Sequence, residues 1–300
     1  MWMSAALAAI AFSLAVSVRG ETDHTSTQVD DLRAYYIADG AIQRAILDMQ
    51  QGGDAYHAGQ ARFFYQFPTG DATVEVIPES AKLNVNTLAA EKLFVLLTAL
   101  GVEANSAQEL TQAIVDWRTP ASEKVPSIFD LFYAEQTPSF RARHASFGEI
   151  EELLSVKGIT SDIYYGTYVR DTGLTPPQLV ARGGLRDCLS VYGSYGSLDI
   201  NGAAPAALAT LGTPPEIIAE ILAKRPFLAQ KDFDDFMGAH PNLGTVRMGG
   251  YKIFTLRATA RLRGADGKPS DLTRSVAATI DLQFDKYPPL VVMRWYDRAA

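Results

Sequence analysis

Residues 1–18 read MWMSAALAAIAFSLAVSV and residues 32–49 read LRAYYIADGAIQRAILDM, and these two stretches decide the architecture. The first holds no charged side chain. As a helix rising ~1.5 Å per residue it would cover about 27 Å, close to the hydrocarbon thickness of a bilayer. In the second, Leu32, Tyr35, Ala38, Ile42, Ala45, Ile46 and Met49 recur every three or four residues, with Asp31, Arg33, Asp39, Arg44 and Asp48 between them. That is the pattern of a helix with one buried face. Gly52 and Gly53 end the periodicity, as a helix C-terminus does. The expectation is one long helix over 1–51, greasy at its start and amphipathic after that, with Leu7, Ile10, Phe12 and Leu14 facing lipid or neighbouring helices.

Two other readings of 1–18 stay open beside the anchor. A secretory signal peptide needs a basic start and a small-residue cleavage site. No Lys or Arg precedes the apolar run, and Ser17-Val18-Arg19-Gly20 is a poor cleavage sequence. A buried core helix is the other, against which stands the length of the uncharged run. The anchor is preferred, with Trp2 near one membrane interface and Arg19 at the other.

Working outward, two short runs of strand character follow, 61–67 (ARFFYQF) and 72–78 (ATVEVIP), with Pro68-Thr69-Gly70-Asp71 between them. They read as a hairpin. Strand signals return only at Tyr251, where the period becomes two: Phe254, Leu256, Ala258, Ala260 and Leu262 share one face, and Val276, Ala278, Ile280, Leu282 and Phe284 share another. A last strand, 290–296, follows Pro288-Pro289. Five strands make a sheet whose apolar face needs a cover, which the amphipathic half of the first helix supplies through Tyr35, Ile42 and Ile46. The division expected is a membrane and assembly helix (1–51), a sheet domain (52–81 and 246–300) and an all-helical insertion (82–245) between the second and third strands.

Three helix starts inside the insertion carry the capping-box pattern: Ser106 with Glu109, Ser146 with Glu149, and Thr213 with Glu216. Apolar faces follow at Leu110, Ala113, Ile114 and Trp117, at Ile150, Leu153 and Leu154, and at Ile217, Ile218, Ile221 and Leu222. The insertion also repeats itself. Leu83-Asn84-Val85-Asn86 is matched by Leu198-Asp199-Ile200-Asn201, and each copy continues to a helix ending Ile-x-x-x-Arg, at Ile114 to Arg118 and Ile221 to Arg225. Two copies of one helical unit, joined by a Gly-rich linker over 182–196 and packed face to face, are expected.

Three hundred residues at 47% hydrophobic bury a sizeable core and leave room for two domains. The formal charge of -7 divides as -6 over 1–81, -6 over 82–245 and +5 over 246–300. A basic end beside acidic segments reads as complementarity within the chain or with a partner. One cysteine, Cys188, forms no internal disulfide and no zinc site. The histidines His24, His57, His144 and His240 have no ligand or catalytic spacing and read as surface or loop residues. Ser194 lacks the glycine that a nucleophile elbow requires. The acids Asp116, Asp130, Asp199, Asp234 and Asp235 lack EF-hand spacing and read as solvated charge. No catalytic or metal residue is expected. Leu153-Leu154-Ser155-Val156-Lys157-Gly158-Ile159 looks like a helix-hairpin-helix module of the kind that holds DNA phosphates by backbone amides. The insertion's net negative charge opposes duplex binding.

Ala81-Lys82-Leu83-Asn84-Val85-Asn86-Thr87, then Ala113-Ile114-Val115-Asp116-Trp117-Arg118, then Phe147-Gly148-Glu149-Ile150-Glu151-Glu152-Leu153 resemble the general secretion pathway protein K family, minor pseudopilins of the bacterial type II secretion system. The resemblance extends through Tyr35-Tyr36-Ile37-Ala38 with Gly40 and through Asp199-Ile200-Asn201. It implies an α+β, type IV pilin-like fold and a non-enzymatic subunit that caps or starts the pseudopilus tip. The subunit would be single-pass in the inner membrane with a periplasmic head. Implied partners are the I- and J-type minor pseudopilins, the pseudopilus shaft and the inner-membrane assembly platform. Nucleic acid is not among them. Calcium is the one cofactor the resemblance brings, and Thr119-Pro120-Ala121-Ser122 stands where the family usually carries further acids. The family's basic leader, processing glycine and first mature residues do not stand before Met1, so the processing site is not readable. Asn84, Asn86, Asp116, Arg118 and Asn201 are expected to hold insertion loops by hydrogen bonds, with Trp117 buried in the first unit. The alternatives are a minor pilin of a type IV pilus and a membrane-tethered helix-hairpin-helix DNA-binding protein.

Overall fold

A computed structural model describes residues 2–52, 61–121, 126–171, 176–249, 252–264, 267–283 and 288–299, without the side chains of residues 4–6, 8, 9, 11, 23 and 171. Gly53, His57, Ser122, Tyr251 and Phe284, which entered the sequence reading, lie outside the described residues. The chain forms two units, Met1–Ile77 with Phe254–Ala300, and Pro78–Ile253. Elements are numbered in chain order.

In the first unit, helix α1 (Trp2–Gln51) runs unbroken and stops at Gly52, whose φ of 60° is left-handed and whose amide donates to the Asp48 carbonyl at 3.1 Å. Trp2, Leu7, Ile10, Phe12 and Leu14 are exposed, from 64% to 93%. Among the described residues no helix is long and apolar enough to cross a membrane. The single-pass expectation for 1–18 therefore does not follow from the structure, and it is taken up with the function.

The second half of α1 buries Ala34, Ile37, Ala38, Ala41, Ile42, Ala45, Ile46 and Met49. Of the expected seam residues, Ala38, Ile42, Ala45, Ile46 and Met49 are buried, and the seam extends through Ala34, Ile37 and Ala41. Leu32 is exposed and lies on the outward stripe of Tyr36, Gln43 and Leu47, spaced four, seven and four apart, while Tyr35 is half-buried at the seam's edge. Tyr35 donates its hydroxyl hydrogen to Asp297 at 3.1 Å.

That seam lies on a five-stranded sheet of order β1-β2-β9-β10-β11, built from Arg62–Phe67, Gly70–Pro78, Ile253–Arg263, Pro269–Leu282 and Leu290–Tyr296. The first two strands form an antiparallel hairpin in which Phe67 faces Gly70, so the second strand starts two residues earlier than expected. The turn is Pro68-Thr69. The last two strands pair antiparallel with a bulge at Thr279/Ile280. The expected faces are buried: Ala72, Val74 and Val76, then Phe254, Leu256, Ala258, Ala260 and Leu262, then Val276, Ala278, Ile280 and Leu282, with Ala277 and Thr279 of the fourth strand buried as well. Alanines on both surfaces (Ala34, Ala38, Ala41, Ala45 against Ala72, Ala258, Ala260, Ala278) suit close approach of helix and sheet.

The basic C-terminal segment finds its acids within this unit. Arg257 bonds Glu75, Arg263 reaches Asp71 at 2.7 Å, and Arg274 reaches Asp31 at 3.2 Å. Burial pushes the Glu75 carboxyl up, but Arg257 and Arg62 outweigh it and hold the group below the usual carboxylate range.

The second unit contains α2 (Ala90–Ala99), α3 (Ala104–Arg118), α4 (Ile128–Ala134), a 3-10 helix (Ile150–Ser155), α5 (Ser161–Tyr165), α6 (Leu185–Cys188), α7 (Pro205–Ala209), α8 (Pro215–Lys224) and α9 (Gln230–Ala239). It is not all-helical. Leu83–Asn84 (β3) pairs in parallel with Leu189–Ser190 (β6), and Leu198–Asp199 (β7) with Val246–Arg247 (β8). Thr167–Asp171 (β4) and Gln178–Arg182 (β5) form an antiparallel ladder. These pieces are too short or too mixed in pattern to read as strands, and neighbours in the fold complete their hydrogen bonds. One hydrophobic core runs through both copies of the repeat, which meet where α2 packs on α7. The stretch 182–196 is no linker: Leu185, Cys188 and Leu189 are almost fully buried in that core. Burial raises the Cys188 thiol to about 12.

All three expected caps are corrected. Helix α3 starts before Ser106, and Glu103 accepts from the amides of Asn105 and Ser106 at 2.9 and 3.2 Å. Pro214 holds the N-cap of α8, with Pro215 after it, and the Thr213 hydroxyl is buried with no hydrogen-bond partner among the described residues. At the third start the acid moves on by three, because Glu152 Oε1 accepts from the amides of Gly148 and Glu149 at 2.9 and 3.2 Å.

Candidate functional site

The residues singled out in the insertion converge on two hubs of the same design. In the first, Asn84 Oδ1 accepts from the Asn86 amide at 2.9 Å, a turn that sets the chain after β3. Asn86 then makes a two-way bridge to a distant backbone: its Nδ2 donates to the Phe147 carbonyl at 3.0 Å, and its Oδ1 accepts from the Phe147 amide at 2.7 Å. In the second, Asp199 Oδ1 accepts from the Asn201 amide at 2.9 Å, and Asn201 bridges Phe227 in both directions at 3.0 and 2.8 Å. The arginines ending α3 and α8 complete the pattern. Arg118 donates to the carbonyls of Val85 and Leu88, and Arg225 Nη2 donates to that of Ala203 at 2.9 Å. Burial lowers both guanidinium groups, Arg225 to about 10.

Among the polar side chains of the hubs the copies differ at one position. Asn84 donates from Nδ2 to the Val191 carbonyl at 2.9 Å, which the equivalent Asp199 carboxylate cannot do. Asp199 is buried, and burial raises its pKa against the Asn201 amide, Arg225 and Arg247, which hold it down.

Trp117 is buried and forms an aromatic cluster with Tyr133, Phe140 and Phe147. Asp116 is half-buried and accepts from the Ser127 hydroxyl at 3.1 Å. Ser127 Oγ in turn accepts from the amides of Phe129 and Asp130, and Asp130 Oδ2 accepts from the Ser127 amide at 2.8 Å. This is the capping box the sequence reading passed over, visible in Ser127-x-x-Asp130 had Asp been admitted at its fourth place. Ser127→Ala is expected to cost about 0.5–2 kcal/mol, read as a lowered thermal midpoint; an unchanged midpoint would mean that the cap contributes nothing.

His144 lies in a loop, as expected, but not at the surface. Its ring, 16% exposed, lies 2.9 Å from Asp130. His240 reaches Glu220 at 3.1 Å. Ser194 serves the backbone, donating to the Ser197 carbonyl and accepting from the Ser197 amide at 3.0 Å. Among the described residues no group of His, Cys, Asp and Glu could hold a metal ion.

The helix-hairpin stretch has the expected shape, with Gly158 at φ 83° where a Cβ would stand 2.8 Å from Leu110. Its lysine is otherwise engaged. The Lys157 amide donates to the Tyr133 hydroxyl at 3.1 Å, and its ammonium lies over the rings of Phe129 and Phe132.

The site is thus two matched structural hubs whose polar groups bind backbone. Residues 77–166, which span the first hub through Asn84, Asn86, Trp117, Arg118 and Phe147, match the family model of the type II secretion system protein K. Among curated proteins none matches the chain in sequence. A chain in the crystal structure of the GspK-GspI-GspJ complex from the enterotoxigenic Escherichia coli type 2 secretion system shares the fold. It has a TM-score of 0.60 and 16% identity over 91% of this chain and 98% of that one. The likeness to the type II secretion system protein K is thus carried in sequence by residues 77–166, and in fold by 91% of the chain.

Proposed function

We propose that this chain is a non-catalytic minor pseudopilin that caps or starts the tip of the type II secretion pseudopilus and so supports protein export across the outer membrane. The observation that carries the reading is the protein K match over 77–166. Three features support it. The start of α1 presents Trp2, Leu7, Ile10, Phe12 and Leu14 outward, and such a surface must be satisfied by lipid or by other helices of its kind. We therefore assign it to the bacterial inner membrane, with the rest of the chain in the periplasm as a type IV pilin-like head. The hubs engage their polar side chains with backbone, which is the chemistry of a scaffold rather than of a reaction. The similar E. coli chain was solved together with other minor pseudopilins, and we take the I- and J-type proteins of the same organism as partners here. The reading needs no cofactor.

The test is size-exclusion chromatography of the detergent-extracted full chain mixed with the I- and J-type minor pseudopilins of its own organism. A stable ternary peak is expected. Elution of the three proteins apart would overturn the assignment, and salt-sensitive retention on a DNA column would replace it with the tethered DNA-binding reading.

A further inference from the structure

We propose that His144 is a proton-operated latch that, doubly protonated, ties the C-terminal end of α3 to the N-terminal end of α4, and that loss of one ring proton releases the tie. The ground is a count of donors and acceptors. Nδ1 lies 3.1 Å from the carbonyl oxygen of Asp116 and 3.2 Å from that of Thr119. Nε2 lies 2.9 Å from Oδ1 of Asp130. Carbonyl and carboxylate oxygens accept and do not donate, whereas a neutral imidazole carries one N–H and one bare lone pair. Whichever tautomer it took, a neutral ring would set one lone pair against an oxygen. Only the imidazolium satisfies both ends.

The surroundings favour that form. The titratable groups facing the ring are Asp116 on α3 and Asp130 on α4, both acidic. The two carbonyls belong to the last turn of α3 and the residue capping it, where a cation is favoured. Asp130 is kept ionised by the capping box: burial raises its pKa, but the Ser127 amide and His144 outweigh that and bring it below the usual value of 3.8. His144 itself adopts φ 48°, a left-handed backbone uncommon for a residue with a Cβ.

The sign of the pH dependence follows. Burial lowers the His144 pKa, yet the bonds to Asp130 and Asp116 prevail and raise it above the ordinary 6.5. The stability the latch contributes is complete below 6.5 and is lost as pH rises through the folded value. Asp130 works in the opposite sense, its contribution being present above 3.8 and lost as pH falls through the lower folded value. The latch is closed between these limits and opens beyond either.

The experiment is nuclear magnetic resonance of the full chain carrying ring-labelled histidine, with amide exchange of Phe129 and Asp130, corrected for the intrinsic rate, followed over the same pH range. The expected result is a His144 ring with both nitrogens protonated at pH 6, a titration midpoint above 6.5, and exchange that accelerates through that midpoint. In His144→Gln the corrected exchange should be fast at every pH. A midpoint at or below 6.5, or exchange indifferent to it, would overturn the latch. If the variant does not fold, the titration and exchange of the parent chain still decide.

Discussion

Replacing Trp117 by alanine should destabilise the second unit by about 3–5 kcal/mol, the usual cost of emptying a large aromatic site in a packed core. The indole is 5% exposed. It meets Tyr133 edge-on at 5.3 Å and stacks on Phe147 at 6.4 Å, with Phe140 at 6.3 Å. Its N–H has no hydrogen-bond partner among the described residues, so the loss is one of packing alone and needs no correction for a broken hydrogen bond. Trp117→Phe keeps an aromatic edge in the cluster and should lose less. Because Arg118 follows directly and donates to Val85 and Leu88, the damage should spread to the first hub before the second. Urea unfolding measures the total, and a shift under about 1 kcal/mol would mean that the surrounding rings close over the gap. Amide exchange at Asn86 and Asn201 tells the two hubs apart.

The second large effect is expected at Asn86 and Asn201. Alanine at either removes two hydrogen bonds at once and leaves a backbone N–H and a backbone C=O, of Phe147 or Phe227, without its partner. Each orphaned group costs about 1–3 kcal/mol when buried, so each variant should lose about 2–4 kcal/mol after partial rescue by water. Aspartate at 86 is the sharper probe. It preserves shape and acceptor but sets a second oxygen against the Phe147 carbonyl, and it should be no better tolerated than alanine. The two alanine variants should lose stability by similar amounts in denaturant titrations, since the hubs have the same bonds within 0.1 Å. A cost at Asn86 with none at Asn201 would show that the second copy keeps the geometry without depending on it.

The parts legible in advance were those that local spacing dictates. A helix shows its period whatever it packs on, and so the length of α1 and its end at Gly52 could be read from apolar residues and a glycine. A half-buried strand alternates by necessity, and so the faces of the last two long strands were visible, as were the five strands themselves. The repeat was visible because the turn at Asn84-x-Asn86 and Asp199-x-Asn201 needs a short side-chain acceptor two residues before the amide it holds, a requirement of residue type and spacing.

What the tertiary structure alone decided is every choice between groups that are locally equivalent. Leu32 shares the three- and four-residue spacing of Ala38, Ile42 and Ala45, and only the sheet decides that Ala34 and Ala41 are buried beside them while Leu32 is left exposed. Ser106 and Thr213 could cap, but α3 starts at the Glu103 carboxylate and α8 at Pro214 and Pro215. The glycines of 182–196 read as a linker, yet Leu185, Cys188 and Leu189 enter the core because both copies of the repeat close around them. His144 is the plainest case. Its partners stand 28, 25 and 14 residues away, a separation with no sequence signature, and a histidine far along the chain from its partners can still meet them in space. Periodicity is a property of the chain and survives in any sequence that folds this way, whereas hydrogen-bond partnership across a loop is a property of distance, which only the packed core determines.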